Sequence, residues 1–293
     1  MLRSGWASQR AIGRLFVGSH LTSLRPCKGD TDLLEVIRGG GFAAAGLGAA
    51  MGVATGVAGG AVWAALSPES QLFGRTLVAP RNPTEFALTF DDGPNPKATP
   101  QLLEVLARAN VKATFFLIGG FVKQCPGLVR EIAAAGHLVG NHTMTHPWLA
   151  WQSESRIREE LSGASAAIED VLGAPVQFFR APHGARRPAV LRIVGEMGMI
   201  PVQWNVICND WSPIGVDGIT TRAVQGVEKN RIRGFGTNMV LHDGGHLGLG
   251  ADRMDTVRAT ERLLERYAAM KFVRVDAWVD MAPAEEPSKD DRR

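Results

Sequence analysis

The chain has 293 residues, of which 45% are hydrophobic and 21% charged, so it can bury a core without help from disulfides. Its net charge of +3 is too weak to indicate a nucleic-acid partner. The three cysteines, Cys27, Cys125 and Cys208, show neither a disulfide framework nor the paired spacing of a zinc site. The length allows one large domain with an appendage, or two small domains.

The N-terminal part of the chain has the pattern of a membrane segment. Residues 1–38 are net basic, and residues 39–66 contain no charged side chain. A helix needs about 20 apolar residues to cross a bilayer, and basic residues stay on the cytoplasmic side. We therefore expect a membrane anchor with the rest of the chain outside. A cleaved secretory signal is the close alternative, and a flexible or buried segment is another.

Residues 67–85 contain several prolines and are predicted to form a linker, followed by a folded domain over residues 86–280 and a polar tail over residues 281–293. Predicted strands cover residues 86–90, 113–118, 137–140, 177–180, 199–207, 238–242 and 272–275. The first predicted helix begins at Thr99, and the others cover residues 126–135, 153–172, 188–197, 219–230 and 252–270. This alternation predicts an α/β fold with a parallel sheet, either a barrel or a doubly wound layer.

Polar side chains cluster where the predicted strands end. They are Asp91 and Asp92, His142 and His146, Arg180, Asp210, and His242. In α/β barrels, chemistry takes place at that end of the strands. The pattern therefore places a candidate site at one edge of the sheet.

Two short motifs are typical of a metal-assisted reaction. Asp91 and Asp92 precede a Gly-Pro turn, so two diverging carboxylates can serve a metal and a water molecule; a solvated turn is the alternative. His142 and His146 are four residues apart, so both can face one ion. Two imidazoles and one carboxylate form a catalytic zinc set that leaves room for water, although capping or core histidines have the same spacing.

Two further motifs are weaker alone. Arg180 can hold a carboxylate through two parallel hydrogen bonds, and Gly184 allows a backbone amide to approach a ligand; a surface loop is the alternative. His242 ends a buried strand and is suited to donate a proton near neutral pH, although this motif by itself favours a hydrogen-bonded structural histidine at a strand end.

In order and spacing, five segments over about residues 84–280 resemble the motifs of the polysaccharide deacetylases, also called carbohydrate esterase family 4 or the NodB-homology domain. They are residues 89–94 (Thr-Phe-Asp-Asp-Gly-Pro), 142–146 (His-Thr-Met-Thr-His), 180–184 (Arg-Ala-Pro-His-Gly), 209–211 (Asn-Asp-Trp) and 239–242 (Met-Val-Leu-His). The resemblance implies a distorted (β/α) barrel, usually with seven strands.

The resemblance also implies a role for each motif residue. Asp91 would be the catalytic base and Arg180 would orient it, while His242 would be the general acid and Asp210 would tune one of these partners. The metal ligands implied are Asp92, His142 and His146, holding a divalent ion, zinc by expectation. The substrate-binding residues implied are His183, Gly184 and Trp211. Trp148 and Trp151 are also candidates to stack on sugar rings, with core packing as the alternative.

Three positions depart from the family pattern. Ile207 replaces the first Asp of the fourth motif, so part of the usual support of the site is missing. His183 stands where the family often has Tyr, and Met239 replaces a leucine of similar volume. None of the three removes a residue expected to contact the metal or the substrate, so an active enzyme is predicted.

The function implied is metal-dependent hydrolysis of the acetamide of N-acetylated sugars in an extracytoplasmic polysaccharide, such as peptidoglycan, a chitin-like polymer or an exported glycan. The expected partners are that acetylated polysaccharide and, if residues 39–66 are not cleaved, the membrane. One alternative is an inactive glycan-binding protein of the same fold, which predicts the loss of a site residue. Another is a two-metal phosphatase, which needs more carboxylates and histidines. The sequence names neither the polymer nor the oligomeric state.

Overall fold

A parallel sheet curled into a half-barrel forms the centre of the protein, whose computed structural model describes residues 67–279. The strands β1 to β8 are Glu85–Gly93, Thr114–Leu117, Leu138–Asn141, Phe178–Phe179, Ile200–Pro201, Val206–Ile207, Thr237–His242 and Lys271–Phe272. The helices α1 to α7 are Thr99–Arg108, Gly119–Gln124, Pro126–Ala134, Glu154–Leu172, Pro188–Glu196, Gly215–Ile232 and Met254–Arg266. Short 3₁₀ helices cover Leu149–Trp151, Pro182–Gly184 and Val275–Trp278.

The curl of the sheet follows from its strand order, which is β5-β4-β3-β2-β1-β7-β6, with β8 pairing with the start of β1. Strands β5 and β6 lie at opposite ends of this order, yet only residues 202–205 separate them along the chain. That connection spans at most roughly 18 Å, because an extended chain advances about 3.5 Å per residue. The two edges of the sheet must therefore approach each other, as they do in a barrel.

Strand β1 is the central element that positions the site. All nine of its residues are buried, and it pairs in parallel with β2 on one side and β7 on the other. The register places Asp91 beside His242, and a register shift on the β2 side lies between Asp91 and Gly93. Since parallel strands end at the same edge, the polar ends of β1 and β7 are neighbours, as the sequence predicts.

Local sequence specifies both ends of one helix in particular. The longest, α4, is capped by Ser153, whose hydroxyl accepts a hydrogen bond from the Arg156 N–H at 3.2 Å, and it is followed by Gly173 in the left-handed conformation. Its buried face contains Ile157 and Leu161 at helical spacing. This packing fixes α4 against the sheet beside β3.

Several predicted elements need correction. Residues 199–207 form two short strands, β5 and β6, instead of one, so the sheet has eight strands where seven were expected. The last predicted strand, residues 272–275, ends at Phe272, and a 3₁₀ helix begins at Val275. Helix α2 was not predicted, and α6 begins at Gly215, four residues before the predicted start.

The segment expected to be a linker packs against the domain. Leu77 forms a parallel bridge with Val202, and Ala79 is buried. The buried Arg186 donates hydrogen bonds to the carbonyls of Ser67 at 2.8 Å and Ser70 at 2.7 Å. Residues 67–279 contain no helix long and apolar enough to cross a membrane, and the expected anchor, residues 39–66, lies outside the described part of the chain.

Candidate active site

A cleft of about 630 Å³ opens at the carboxyl ends of the central strands. Seven of the ten predicted site residues line it, and they are Asp91, Asp92, His142, His146, His183, Trp211 and His242. Two others, Arg180 and Asp210, lie behind the cleft and contact residues that line it. The structure therefore brings together side chains from every predicted motif.

Arg180 holds one oxygen of Asp91. Its Nη1 lies 2.8 Å from Asp91 Oδ1 and also donates to Thr89 Oγ1 at 2.6 Å, so the expected pair of parallel hydrogen bonds is replaced by one shared nitrogen. The guanidinium is fully buried and lies over the Phe116 ring, with 4.2 Å to the ring centroid. This arrangement fixes Asp91 Oδ1 and leaves Oδ2 directed toward His142, whose Nε2 is 3.9 Å away.

Asp92 faces the two histidines of the second motif. Its Oδ1 lies 3.4 Å from His142 Nε2 and 3.2 Å from His146 Nε2. Although both nitrogens are this close, the buried Oδ1 forms no well-directed hydrogen bond with any atom of the described residues. A buried carboxylate oxygen with two imidazole nitrogens within 3.4 Å of it, and a hydrogen bond to neither, is typical of an oxygen directed at a shared cation.

The protonation states suit a metal site. His142 Nδ1 lies 2.8 Å from the Arg180 carbonyl, so Nδ1 carries the proton and Nε2 presents its lone pair toward Asp92. Burial lowers the pKa of His146, and contact with Asp92 offsets this only in part, so the imidazole is neutral near pH 7. Burial would raise the pKa of Asp92, but its contacts with His142 and His146 hold that pKa well below its usual range. A carboxylate and two imidazoles fit a divalent ion such as zinc.

His246, which was not predicted from the sequence, lies beside Asp92 and His146. Among residues 67–279, the side chains of Asp92, His146 and His246 bring one ligand atom each to within 4.8 Å of one another. The His246 ring stacks on His146 with 4.5 Å between centroids and 16° between planes. His242 and His246 are four residues apart, the same spacing as His142 and His146, and that repeat is the signal that could have identified His246.

The site loops contain unusual backbone conformations. Five non-glycine residues of the motif segments have φ between 52° and 69°, and they are Asp92, Thr143, His146, His183 and Asn209. The left-handed region costs a non-glycine residue roughly 1 kcal/mol or more. The fold therefore maintains strain where the candidate site lies, as functional sites commonly do.

His242 is held by Asp210. The Asp210 Oδ1 lies 2.8 Å from His242 Nδ1, while Oδ2 accepts hydrogen bonds from the His242 N–H at 2.7 Å and from Thr256 Oγ1 at 2.9 Å. Burial lowers the pKa of His242, but the charge and hydrogen bond of Asp210 outweigh it and raise the pKa to about 9. His242 is therefore an imidazolium near neutral pH and can donate a proton from Nε2.

The third motif forms one wall of the cleft. Burial, reinforced by neighbouring histidines, lowers the pKa of His183 to about 4, so its ring is neutral and stacks on Trp148 with 4.0 Å between centroids. Gly184 has φ of +65°, and an added Cβ would lie 2.7 Å from the Trp204 ring. Its N–H donates to the Ala181 carbonyl, so the glycine is needed for packing, whereas the sequence suggested approach to a ligand.

Trp211 lines the cleft, Trp148 stacks on His183 of the cleft wall, and one apolar substitution lies in that wall. The Trp211 ring meets His242 edge-on at 5.0 Å and is about half exposed, as is Trp148, while Trp151 is largely exposed. None of the three is core packing, which the sequence left open. Ile207, at the position of the missing motif aspartate, is 42% exposed and lines the cleft.

Comparison with known proteins gives consistent matches. Residues 79–202 match the polysaccharide deacetylase family. The chain is 44% identical over 160 residues to a chitooligosaccharide deacetylase of Rhizobium leguminosarum bv. trifolii, over 54% of this chain and 70% of that protein. It is 35% identical over 181 residues to a peptidoglycan-N-acetylglucosamine deacetylase of Bacillus cereus, over 61% of this chain and 63% of that protein. A crystal structure of a peptidoglycan N-acetylglucosamine deacetylase superimposes with a TM-score of 0.61 at 30% identity, over 68% of this chain and 89% of that one.

Proposed function

Because this chain belongs to the polysaccharide deacetylase family, whose members hydrolyse the N-acetyl amide bonds of polysaccharides, we propose that it deacetylates N-acetylated sugars of a polysaccharide outside the cytoplasm. The observation that carries the proposal is that one cleft contains both a proposed proton acceptor, Asp91, and a proposed proton donor, His242. Asp91 is held by Arg180, and His242 is held by Asp210. Asp92, His142 and His146, which we call the Asp92 cluster, lie in the same cleft, so the groups needed for amide hydrolysis share one site.

The proposed metal ligands are Asp92, His142 and His146, and the donor set of nitrogen and oxygen favours zinc. A divalent ion held there would polarise the acetamide carbonyl and make a neighbouring water molecule more acidic. The hydrogen bond from His142 to the Arg180 carbonyl orients this ligand. Arg180 therefore supports both the proposed base and one proposed ligand.

The chain's own groups account for the proton transfers. Asp91 Oδ2, left free by Arg180, takes a proton from the attacking water. The main-chain N–H of His183 is the proposed donor to the oxyanion that develops on the carbonyl oxygen. His242 Nε2 then protonates the departing amine, while Asp210 stabilises the imidazolium that supplies this proton.

The proposed substrate class follows from the relatives and from the cleft opening. The relatives are named for chitooligosaccharide and for the N-acetylglucosamine of peptidoglycan. Trp211 in the cleft lining and Trp148 beside His183 offer exposed flat rings, suited to the apolar faces of sugar rings, and the exposed Trp151 follows Trp148 by three residues. An acetylated polysaccharide or oligosaccharide is therefore the proposed partner.

Acetate release by the purified full-length chain tests this function. A panel of chitooligosaccharides, peptidoglycan and xylan acetylated on oxygen should show release from the N-acetylated glycans, with loss on chelation and recovery on adding Zn²⁺. Full activity in a metal-free chain would contradict the metal proposal. Binding of the glycans without any acetate release would favour an inactive glycan-binding protein instead.

The proposed location rests on the basic residues 1–38 and the uncharged residues 39–66, which act as an anchor or a signal. A reporter enzyme that is active only outside the cytoplasm, fused after Arg293, should be active. A second reporter that is active only in the cytoplasm, fused at the same position, is the control and should be silent. The reverse result would contradict both the anchor and the signal.

A further inference from the structure

His246 lies beside the Asp92 cluster but has no part in the mechanism above. Its Nδ1 is 3.9 Å from Asp92 Oδ2, whereas Asp92 Oδ1 faces His142 and His146. One carboxylate oxygen of Asp92 therefore faces two histidines, and the other oxygen faces His246. We propose that His246 is a further protein ligand of the divalent ion, an inference that rests on the metal site of the proposed function.

The positions of the rings support this assignment. Asp92, His146 and His246 are the described residues whose ligand atoms all lie within 4.8 Å of one another, so a single ion can contact all three. The His246 ring is nearly parallel to His146, at 4.5 Å, and meets His183 edge-on at 5.7 Å. These contacts hold the imidazole over the cluster, although 41% of the side chain is exposed to solvent.

Hydrogen bonds fix the two ends of the loop that carries His246. Asn95 Nδ2 donates hydrogen bonds to the carbonyls of Asp243 at 2.7 Å and Ala251 at 2.8 Å, which lie near the two ends of the loop. Arg253 Nε donates to the Gly244 carbonyl at 2.7 Å. Gly244 is so close to the main chain of Asp92 that an added Cβ would overlap the Asp92 carbonyl. These contacts therefore fix the loop in a position that places His246 beside the Asp92 cluster.

A fourth protein ligand changes the character of the site. Catalytic zinc sites keep three protein ligands and one open position, whereas four protein ligands complete a tetrahedral shell. If Asp92, His142, His146 and His246 all bound one ion, they would fill a tetrahedral shell, and one of them would have to leave before the ion could act on a substrate carbonyl or a water molecule. His246 is the ligand to be displaced, because it is the most exposed and its loop is rich in glycine.

The test uses Co²⁺ in the purified full-length chain as a visible probe of coordination. In His246→Cys, a thiolate bound to Co²⁺ should add a sulfur-to-metal charge-transfer band that the wild-type chain lacks, which a residue outside the coordination shell would not produce. In His246→Ala, competition with a chelator should show metal affinity lowered by about tenfold or more, since even residues that only support a ligand are worth about 10- to 100-fold. Leu247→Cys and Leu247→Ala are matched controls, because the neighbouring Leu247 is 93% exposed, and they should show neither change.

Two different failures are distinguishable. If the wild-type chain binds Co²⁺ while His246→Cys adds no charge-transfer band and His246→Ala binds the ion as tightly as the wild type, the role of His246 is overturned and the deacetylase site stands. If the wild-type chain binds no Co²⁺ and no Zn²⁺, the metal site itself is wrong, and the proposed function fails with it.

Discussion

Asp91 and Asp92 are adjacent in sequence but are held in different environments. Asp91 belongs to the regular part of β1 and meets Arg180, whereas Asp92 has φ of 69° and faces the histidines. The left-handed backbone at Asp92 turns its side chain away from the direction that the strand would give it. Two carboxylates one residue apart can therefore have separate roles.

This separation predicts different results for two matching substitutions. Asp91→Asn keeps the size of the side chain but cannot accept a proton, so kcat should fall by about 10² to 10⁴ while the metal stays bound. Asp92→Asn removes an anionic ligand, so metal content should fall first and activity with it. Elemental analysis alongside acetate release measures both. A metal-free Asp91→Asn together with a loaded, active Asp92→Asn would show that the roles are reversed.

The Asp210–His242 pair predicts the alkaline side of the pH–rate profile. The proposed acid must be protonated, so kcat/KM should fall as pH rises through about 9, the raised pKa of His242. Asp210→Asn removes the charge that raises this pKa, while burial still lowers it, so the fall should move to lower pH. Asp255→Asn, an exposed neighbour paired with Arg258, should leave the profile unchanged. An unmoved fall in Asp210→Asn would exclude His242 as the titrating acid.

At this scale, most of the site was accessible from the sequence, because motifs of fixed spacing specify side chains at strand ends. His246 was missed: its spacing from His242 was a signal, but only the contact of a glycine-rich loop with Asp92, which is not local in sequence, shows that it lies at the site. The single shared nitrogen of Arg180 also depends on Thr89, which β1 presents two residues before Asp91.

At the scale of elements, Arg186 joins the segment before β1 to the third motif. Its guanidinium is buried and donates to the carbonyls of Gly184, Ser67 and Ser70, and no carboxylate among residues 67–279 pairs with it. Burial lowers the pKa of Arg186 because it disfavours the charged guanidinium. The hydrogen bonds to the carbonyls offset this cost of burying the cation. Composition alone suggested a linker here, because none of these partners is close in sequence.

Removing this cation should destabilise the domain. Arg186→Met leaves buried carbonyls without a donor, and we expect a loss of about 2 to 3 kcal/mol. For a domain of this size, that corresponds to a Tm lower by roughly 4 to 12 °C. Arg187→Met is the matched control, because Arg187 is only partly buried and donates one hydrogen bond, to Gln152. Calorimetry measures the difference, and equal Tm values for the two variants would show that the carbonyl contacts contribute little.

The division of residues 199–207 into two strands has a similar origin. Their apolar pattern is continuous, which predicts one buried strand. In the structure the chain leaves one sheet edge at Pro201 and joins the other at Val206, and Gln203 donates its N–H to the Leu77 carbonyl between them. Which edge a residue joins depends on the closure of the whole sheet, and no local pattern encodes that.

At the scale of the whole molecule, metal binding should stabilise the fold, because the proposed ligands come together only in the native state. At a free ion concentration 100 times Kd, the gain is about 2.7 kcal/mol. Chelation should therefore lower Tm by roughly 5 to 11 °C. Asp92→Asn is the control and should unfold at the same temperature with and without chelator. If the wild-type Tm is insensitive to chelator, the cluster does not hold an ion in the native protein.

The pairing of β1 with β7 also sets an order of events during synthesis. Thr89 and Met239, which bond across this pair, are 150 residues apart. A ribosome adding about 5 to 20 residues per second makes β7 roughly 8 to 30 s after β1. During that interval the growing chain comes to contain Asp91, Arg180 and the proposed metal ligands Asp92, His142 and His146, but not His242, the proposed general acid. On the proposed mechanism, hydrolysis therefore requires the final quarter of the domain. Until β7 has been made, one edge of β1 lacks its partner strand and is open to association with other chains.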